Sequence, residues 1–447
     1  MTKNKKYLGY AILLNVLGVL FMFMYSGLQN DQINIIQGFS GWTNTQTQLP
    51  MTVGNFVCIV LTFLYGTLFI KYGVKKTMIP VMIVTALGCV GIALANGLAV
   101  TSGIAVAAGG NVTGSYALFF ISLFVTRCGC MIFQMGGFML VANWFIRYRG
   151  RAMGIVTLGS PLFSVIGTSV MTNFITDRLG NDYRPFYIGI AIIIVAIAVV
   201  YGLFLKDTPE EAGLYPDGAN QPPKSESNGS DEVKLTVGQV LSEKRGWLLI
   251  ISYGAFTFII NACMGSMVVR YMSLAPAGAE NPMAVWITAT KWLAMGAILG
   301  IPMSYIFGWI DDKIGSVKAS MVLGLCEFIP VLSLMLQPEG GSAPLMILWG
   351  FGVACMTGGV PTLHPCITSY VYGRREYQSA NRIIMAIQLI PSAVAAMIMT
   401  IMINSGKATM AYVMLLIIIV IGLVATAAML KIKDANAADR DYADKAV

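Results

Sequence analysis

Charged residues are scarce in this sequence, and histidine is almost absent. Only 11% of its 447 residues are charged, 56% are hydrophobic, and a single histidine is present. A water-soluble protein of this length would lack the polar side chains needed to cover its surface, so the composition excludes that class. The mean hydropathy of +0.72 indicates an integral membrane protein instead.

Sequence signatures of catalysis are also missing. The chain has no phosphate-binding glycine loop followed by lysine, no nucleophile elbow and no cluster of metal ligands. Its eight cysteines all fall within apolar runs, where they behave as small apolar residues, and no disulfide framework is implied. "RCGC", which begins at Arg127, has no second cysteine pair to complete a metal site. We therefore expect neither an enzyme nor a bound cofactor.

Long apolar runs recur along the whole chain. Each has roughly 20 residues or more, enough to cross a bilayer as a helix. The runs lie near residues 7–28, 50–70, 78–98, 115–143, 152–174, 185–205, 246–271, 283–310, 317–336, 343–371, 378–403 and 409–430. They predict an all-α membrane protein with twelve transmembrane helices, which we number as spans one to twelve.

Lysine and arginine are concentrated in every second connection and at both ends of the chain. This bias is typical of cytoplasmic segments, so it predicts that both termini and the central connection are cytoplasmic. The net charge of +8 thus reflects orientation in the bilayer, and we expect no nucleic-acid partner. The predicted location is the cell membrane, with multiple passes.

The polar segment 207–245 separates six apolar runs from six others. It contains prolines, glycines and many charges, and it is too hydrophilic to enter lipid. We predict an N-terminal six-helix bundle over 1–206, a cytoplasmic linker over 207–245, a C-terminal six-helix bundle over 246–433 and a cytoplasmic tail over 434–447.

An internal repeat links the two halves. "GTLFIKYGVKK", which begins at Gly66, aligns with "GWIDDKIGSVK", which begins at Gly308, at the Gly, Lys, Gly and Lys positions. The two segments follow the second and eighth spans. Such duplication is common in transporters and predicts two pseudo-symmetric bundles.

The repeated motif resembles that of the major facilitator superfamily. Gly308, Asp312, Lys313 and Gly315 reproduce the family's pattern in full, whereas the first copy has Ile70 where the family has aspartate. The resemblance implies alternating access between two rocking bundles, with Gly308, Asp312 and Lys313 as gating residues on the cytoplasmic side.

A second gate is suggested by symmetry. Asp31 and Arg270 stand at the external ends of the first and seventh spans, at nearly equivalent places in the repeat. We interpret them as candidates for an external latch between the halves.

A narrower resemblance covers the fourth to sixth spans. "NWFIRYRGRAMGIVTLGSPLFSVIG", which begins at Asn143, and "DTPEEAGLYPDG" are similar to the oxalate:formate antiporter and monocarboxylate porter branch. The oxalate carriers of that branch have an arginine in the eighth helix that falls on Ser304 here. A compact dianion held by two cations is therefore not expected, and Ser304 is a candidate substrate contact instead.

Three basic residues, Arg127, Lys291 and Arg382, lie inside or at the ends of the spans, where a central Lys or Arg costs roughly 2.5 to 3.5 kcal/mol. Arg127, near the middle of the fourth span, would bind a carboxylate or bond to neighbouring helices. Lys291, in the external third of the eighth span, would bind an anion or extend to the interface as an anchor. Both alternatives stay open for each residue.

Two further ionisable residues are candidates for proton coupling. His364 lies in "GGVPTLHPC" of the tenth span, between two prolines, and histidine titrates near neutral pH. Glu327 lies in the ninth span. For both residues, a structural hydrogen bond to a neighbouring helix is the competing interpretation.

Uncharged polar residues complete the predicted substrate contacts. They are Tyr25, Gln29, Gln134 and Asn261. Together these residues predict a secondary transporter of an organic anion. The expected cargo is a carboxylate, for example a larger amphipathic acid such as a bile-type sterol acid. The expected mode is proton symport or anion exchange. The alternative is a proton-coupled multidrug exporter of the same fold. The expected partners are the organic anion, a coupling proton or counter-anion and the lipid bilayer, and the expected state is a monomer.

Overall fold

The computed structural model describes residues 3–28, 44–95, 116–163, 174–179, 182–219, 235–274 and 282–436. All regular elements within these ranges are helical. Ten of the helices there are apolar and long enough to cross a membrane. The chain therefore has the predicted all-α architecture of membrane-spanning helices.

Among the described residues of the first half, six helical regions follow the predicted spans, and a short turn of π-helix spans Phe174–Arg178. The six regions are α1 (Lys3–Ser26), α2 (Asn44–Tyr72), α3 (Val74–Ala95), α4 (Tyr116–Trp144), α5 (Arg149–Thr157, continued by Gly159–Leu162) and α6 (Arg184–Phe204). The predicted fifth span, 152–174, is described in part only, because residues 164–173 lie outside the described ranges.

The second half repeats this arrangement. Its helices are α7 (Lys244–Ser273), α8 (Pro282–Ile314), α9 (Ser316–Cys326 and Phe328–Met335), α10 (Ala343–Arg374), α11 (Glu376–Asn404) and α12 (Ala408–Ala428). Helices α10 and α11 follow each other almost without a loop. Gly373 separates them with a φ of +68°, a backbone conformation that glycine adopts at little cost.

The repeated sequence motif folds into the same turn twice. Gly73 between α2 and α3 has a φ of +87°, and Gly315 between α8 and α9 has a φ of +86°. The N–H of Gly73 donates to the carbonyl of Phe69, and that of Gly315 to the carbonyl of Asp311, at 2.9 Å in both cases. Both positions need glycine because of their left-handed backbone.

Each half has its own hydrophobic packing. One cluster runs from Ala11 to Leu214 and takes in Cys366, Tyr377 and the half-buried Leu389 from the second half. Two further clusters consist of residues from Leu235 onward, apart from a half-buried phenylalanine of α2 at their edge. Large aliphatic side chains such as Leu203 are exposed on the outside, as expected for a surface that faces lipid. The division at residues 206 and 246 stays a prediction.

The start of the linker packs against the first half. The carboxylate of Asp217 accepts hydrogen bonds from the backbone N–H groups of Ile146 and Arg147, at 2.9 and 2.7 Å, in the turn between α4 and α5. The carboxylate of Asp207 accepts one from the N–H of Lys75, at 2.8 Å, at the start of α3. Asp207 thus supplies a partner to a first-turn N–H group of α3, and Asp217 supplies one to two N–H groups of the turn.

We call the side that carries the turns 71–76, 145–151, 311–318 and 372–376 the basic face. The two halves meet there through α5 against α8, α2 against α11 and α5 against α10. The contact between α5 and α8 is made by backbone, since a Cβ on Gly150 would lie 2.4 Å from the carbonyl oxygen of Gly308. The halves are thus closed against each other at the basic face.

Candidate functional site

A cavity of about 120 Å³ lies between the two halves. It is lined from four helices: Gln134 and Phe138 of α4, Thr257 of α7, Val360, Pro361 and His364 of α10, and Met385, Gln388, Leu389 and Ser392 of α11. The walls are mainly apolar, with amide, hydroxyl and imidazole groups among them. Two residues predicted as substrate contacts, Gln134 and His364, therefore line the same cavity.

His364 is held in place by a second residue of the cavity. Its ring lies edge-on to Tyr253 of α7, with 5.1 Å between ring centroids. The side chain of Gln388 hydrogen-bonds to the imidazole, and its Nε2 donates to the carbonyl of Leu249 at 2.9 Å. The imidazole Nε2 has no hydrogen-bond partner. One ring nitrogen is thus left to a proton or ligand.

Helix α10 stays helical through Pro361 and Pro365. A proline removes the N–H that would bond to the carbonyl four residues earlier, so this part of the helix has fewer internal hydrogen bonds. The cavity lies beside this weakened stretch.

Arg127 is buried and tied to protein groups. Its Nε donates to Oδ1 of Asn55 on α2 at 2.7 Å, and an Nη lies 3.1 Å from Sγ of Cys130. Tyr25 is close enough to interact with it electrostatically. A Cβ on Gly54 would lie 2.7 Å from the Arg127 Cγ, so the α2 glycine makes room for this side chain. Arg127 precedes Gln134 by two helical turns, about 10 Å along the same face of α4.

The remaining predicted contacts lie elsewhere. Asn261 is exposed and donates to the carbonyl of Thr257 at 2.9 Å. Ser304 is fully buried, and its hydroxyl donates to the carbonyl of Gly300 at 3.3 Å. Neither lines the described cavity. Gln29 and the side chain of Lys291 lie outside the described residues, although the backbone of Lys291 belongs to α8.

Sequence reasoning did not single out Thr257, Phe138, Met385 or Ser392. The one available signal was the polar residues within apolar α11, at positions 388 and 392.

At the basic face, Asp312 bridges the two halves. Its carboxylate accepts hydrogen bonds from the N–H groups of Gly150 at 3.0 Å and Arg151 at 3.3 Å, and pairs with the Arg151 guanidinium at 3.2 Å. Asp312 lies beyond the apolar run 283–310. The other predicted gating residues are adjacent: Gly308 faces Gly150, and the Lys313 ammonium lies 4.0 Å from the ring centroid of Trp309.

The sequence matches the family model of the Major Facilitator Superfamily over residues 7–374. The chain belongs to the major facilitator superfamily. It is a membrane transporter, as the repeated turn and the two packed halves predicted.

Solved structures of the superfamily share the fold of this transporter. FucP in the outward conformation is 15% identical, with a TM-score of 0.64 over 94% of this chain and 99% of that chain. The proton:xylose symporter XylE bound to 6-bromo-6-deoxy-D-glucose is also 15% identical, with a TM-score of 0.64 over 96% of both chains. No curated protein matches the sequence. The narrower likeness to the oxalate:formate branch stays a prediction.

Glu327 and Arg270 of this transporter do not line the described cavity. Glu327 is fully buried in α9, and both carboxylate oxygens lack a hydrogen-bond partner. Arg270 donates from Nε to the carbonyl of Leu334 at 3.3 Å and lies over the ring of Tyr412. Asp31 lies outside the described residues, so the external latch stays a prediction.

We expect the stability of this transporter to depend on pH through Asp312. Burial, with the nearby Asp311, raises the pKa of Asp312 from 3.8 to about 7. An acid whose pKa is raised on folding stabilises the fold below its unfolded pKa, and the contribution is lost as pH rises through the folded pKa. The melting temperature should therefore fall between about pH 4 and about pH 7, and Asp312→Asn should flatten part of that fall.

The pH profile of Asp217→Asn is compared with that of Asp312→Asn. Burial also raises the pKa of Asp217, so this variant should flatten the profile too. An Asp312→Asn profile parallel to that of the wild type would contradict the assignment.

Proposed function

We propose that this transporter carries an organic anion, a carboxylate with an apolar body, by alternating access. It works as a secondary active carrier, either a proton symporter or an anion exchanger. In this proposal it lies in the cell membrane with both termini and the basic face in the cytoplasm, as the positive charge of that face favours.

The composition of the cavity carries the proposal. No acidic residue lines the described cavity, so a cationic cargo would have no counter-charge there. Gln134 from one half and Gln388 with His364 from the other offer donors that suit a carboxylate. Phe138 and Leu389 offer apolar surface for the body of the ligand. Protonation of His364 during the transport cycle would add positive charge there.

Arg127 supports the same cargo without direct contact. It is fixed by Asn55 and Cys130, about two turns from Gln134, in surroundings of low dielectric. A buried cation at that distance makes the potential of the cavity more positive and so favours an anion.

Proton coupling is supported by the cavity and by the structural neighbours. Histidine is the side chain that exchanges a proton near neutral pH, and Nε2 of His364 has no partner. Two of the structural neighbours are a fucose:proton symporter and a proton:xylose symporter. The multidrug exporter has less support, because its expected acid, Glu327, does not line the cavity.

Thermal-shift screening of the purified protein tests this proposal. We expect amphipathic carboxylates, including bile-type sterol acids, to raise the melting temperature by a few degrees at saturation, because a ligand at about 100 times its Kd stabilises by about 2.7 kcal/mol. Gln388→Ala should abolish the shift. Asn261→Ala, an amide outside the cavity, should preserve it.

The same screen includes cationic drugs and neutral sugars. A shift caused by either class, with none from any carboxylate, would overturn the anion assignment.

A further inference from the structure

The two copies of the repeated turn close the basic face in different ways. At the α8 end, Asp312 accepts hydrogen bonds from the N–H groups that begin α5. At the α2 end, the equivalent position is Ile70, whose side chain has no polar group. The α2–α11 side therefore lacks the acid that closes the α5–α8 side.

An arginine from the opposite half lies at this place. Arg382 of α11 donates from Nη1 to the hydroxyl of Thr67 on α2, at 2.6 Å. Its guanidinium also lies 5.1 Å from the ring centroid of Phe63, one helical turn earlier on the same face of α2. Arg382 thus makes two kinds of contact across the interface between the halves.

The backbone of α2 comes close enough for this contact because of Gly66. A Cβ at Gly66 would lie 2.2 Å from the Cβ of Arg382. Gly66 corresponds to Gly308 in the repeat, which lies equally close to the backbone of Gly150. The glycine is therefore used in both copies, whereas the polar contact beside it is different.

Arg382 also reaches the linker. Its Nη2 donates to the carbonyl of Leu235 at 3.2 Å. Leu235 directly precedes Thr236, whose side chain caps the short helix Val237–Ser242 at the end of the linker. One guanidinium therefore joins α2, α11 and the linker, a task that suits the five donors of arginine better than the single ammonium of lysine.

We propose that Arg382 is the closing residue of the α2–α11 side of the basic-face gate and replaces the acid missing at Ile70. The contact with the Thr67 hydroxyl is lost when α2 and α11 separate, so it favours the closed arrangement. The inference requires a rocking transporter but does not depend on the cargo.

Hydrogen–deuterium exchange of the full-length protein in nanodiscs tests this role. In Arg382→Ala we expect exchange to rise about tenfold in two places: the α2–α11 ends, 66–73 and 376–386, and the distant α5–α8 contact, 146–151 and 308–315. The second place must respond because the halves open as rigid bodies. Arg382→Lys should give a smaller rise in both.

Arg245→Ala is the matched control. Arg245 lies at the same face, but its bonds go to Glu243, Glu376 and the carbonyl of Val371, all after the middle of the linker. It should change exchange locally and leave 146–151 as in the wild type.

Thr67→Val removes one partner only. It should reproduce part of the Arg382→Ala pattern. In the double variant Thr67→Val/Arg382→Ala, exchange at both places should be no faster than in Arg382→Ala alone. Faster exchange confined to 376–386, or additive effects in the double variant, would overturn the gate role and make Arg382 a local stabiliser of α11. Neither outcome bears on the anion proposal, which the ligand screen tests separately.

Discussion

Gly308→Ala is expected to reduce transport by at least about tenfold. A Cβ at residue 308 would lie 2.2 Å from the carbonyl oxygen of Gly150 and 2.8 Å from its carbonyl carbon. Both neighbours are backbone atoms of another helix, so no side-chain rotation relieves the clash. Overpacking of this kind costs about 1 to 3 kcal/mol, and it falls on the closed arrangement of the basic face alone.

The measurement is uptake into proteoliposomes of whichever ligand the thermal screen identifies, together with the exchange rate of 146–151 and 308–315. The matched control is Gly189→Ala in α6, where a Cβ would have nothing within 4 Å. It should transport normally, because a helix position with open space around it accepts alanine favourably. Normal uptake by Gly308→Ala would show that the close contact is not part of the cycle.

His364→Gln is expected to uncouple transport from protons. Glutamine can hydrogen-bond but cannot take up a proton near neutral pH, and His364 is the histidine of the cavity. We expect ligand binding to persist with lower affinity, its dependence on pH to disappear, and uphill accumulation to fall by at least about tenfold.

The measurement is proton entry, followed by a pH-sensitive dye inside the liposomes, during substrate uptake at acidic and alkaline external pH. Thr257→Val is the comparison, because it alters the same cavity without touching a titratable group. It should weaken binding and keep the pH dependence. Proton entry that persists with substrate in His364→Gln would move the coupling role to another residue, with Glu327 the next candidate.

Local sequence patterns were sufficient for the architecture. Long apolar runs determine spanning helices, because backbone groups in lipid must bond within their own helix. The repeated glycine motif was equally informative, since Gly73 and Gly315 both require a left-handed backbone that a side chain would strain. The same motif also singled out Asp312 as a residue at the contact between the halves.

The cavity was only partly predictable, because it forms where four helices converge. Gln134 and His364 are polar residues in apolar runs, and this alone made them candidates. Whether Arg127 faces the cavity depends on Asn55, which lies 72 residues away in the chain. The burial of Ser304 depends on Gly154 and Gly358, whose lack of side chains brings two other helices against its backbone. The pattern of residues within one helix does not indicate which residues of other helices pack against it.

The hydrogen bonds of Asp217 have a consequence for how the chain is made. The N–H groups of Ile146 and Arg147 gain their partner from a residue that follows the last helix of the first half. During synthesis these groups stay without it until the ribosome has released the chain past residue 217. The first bundle is thus completed only when the beginning of the linker returns to it.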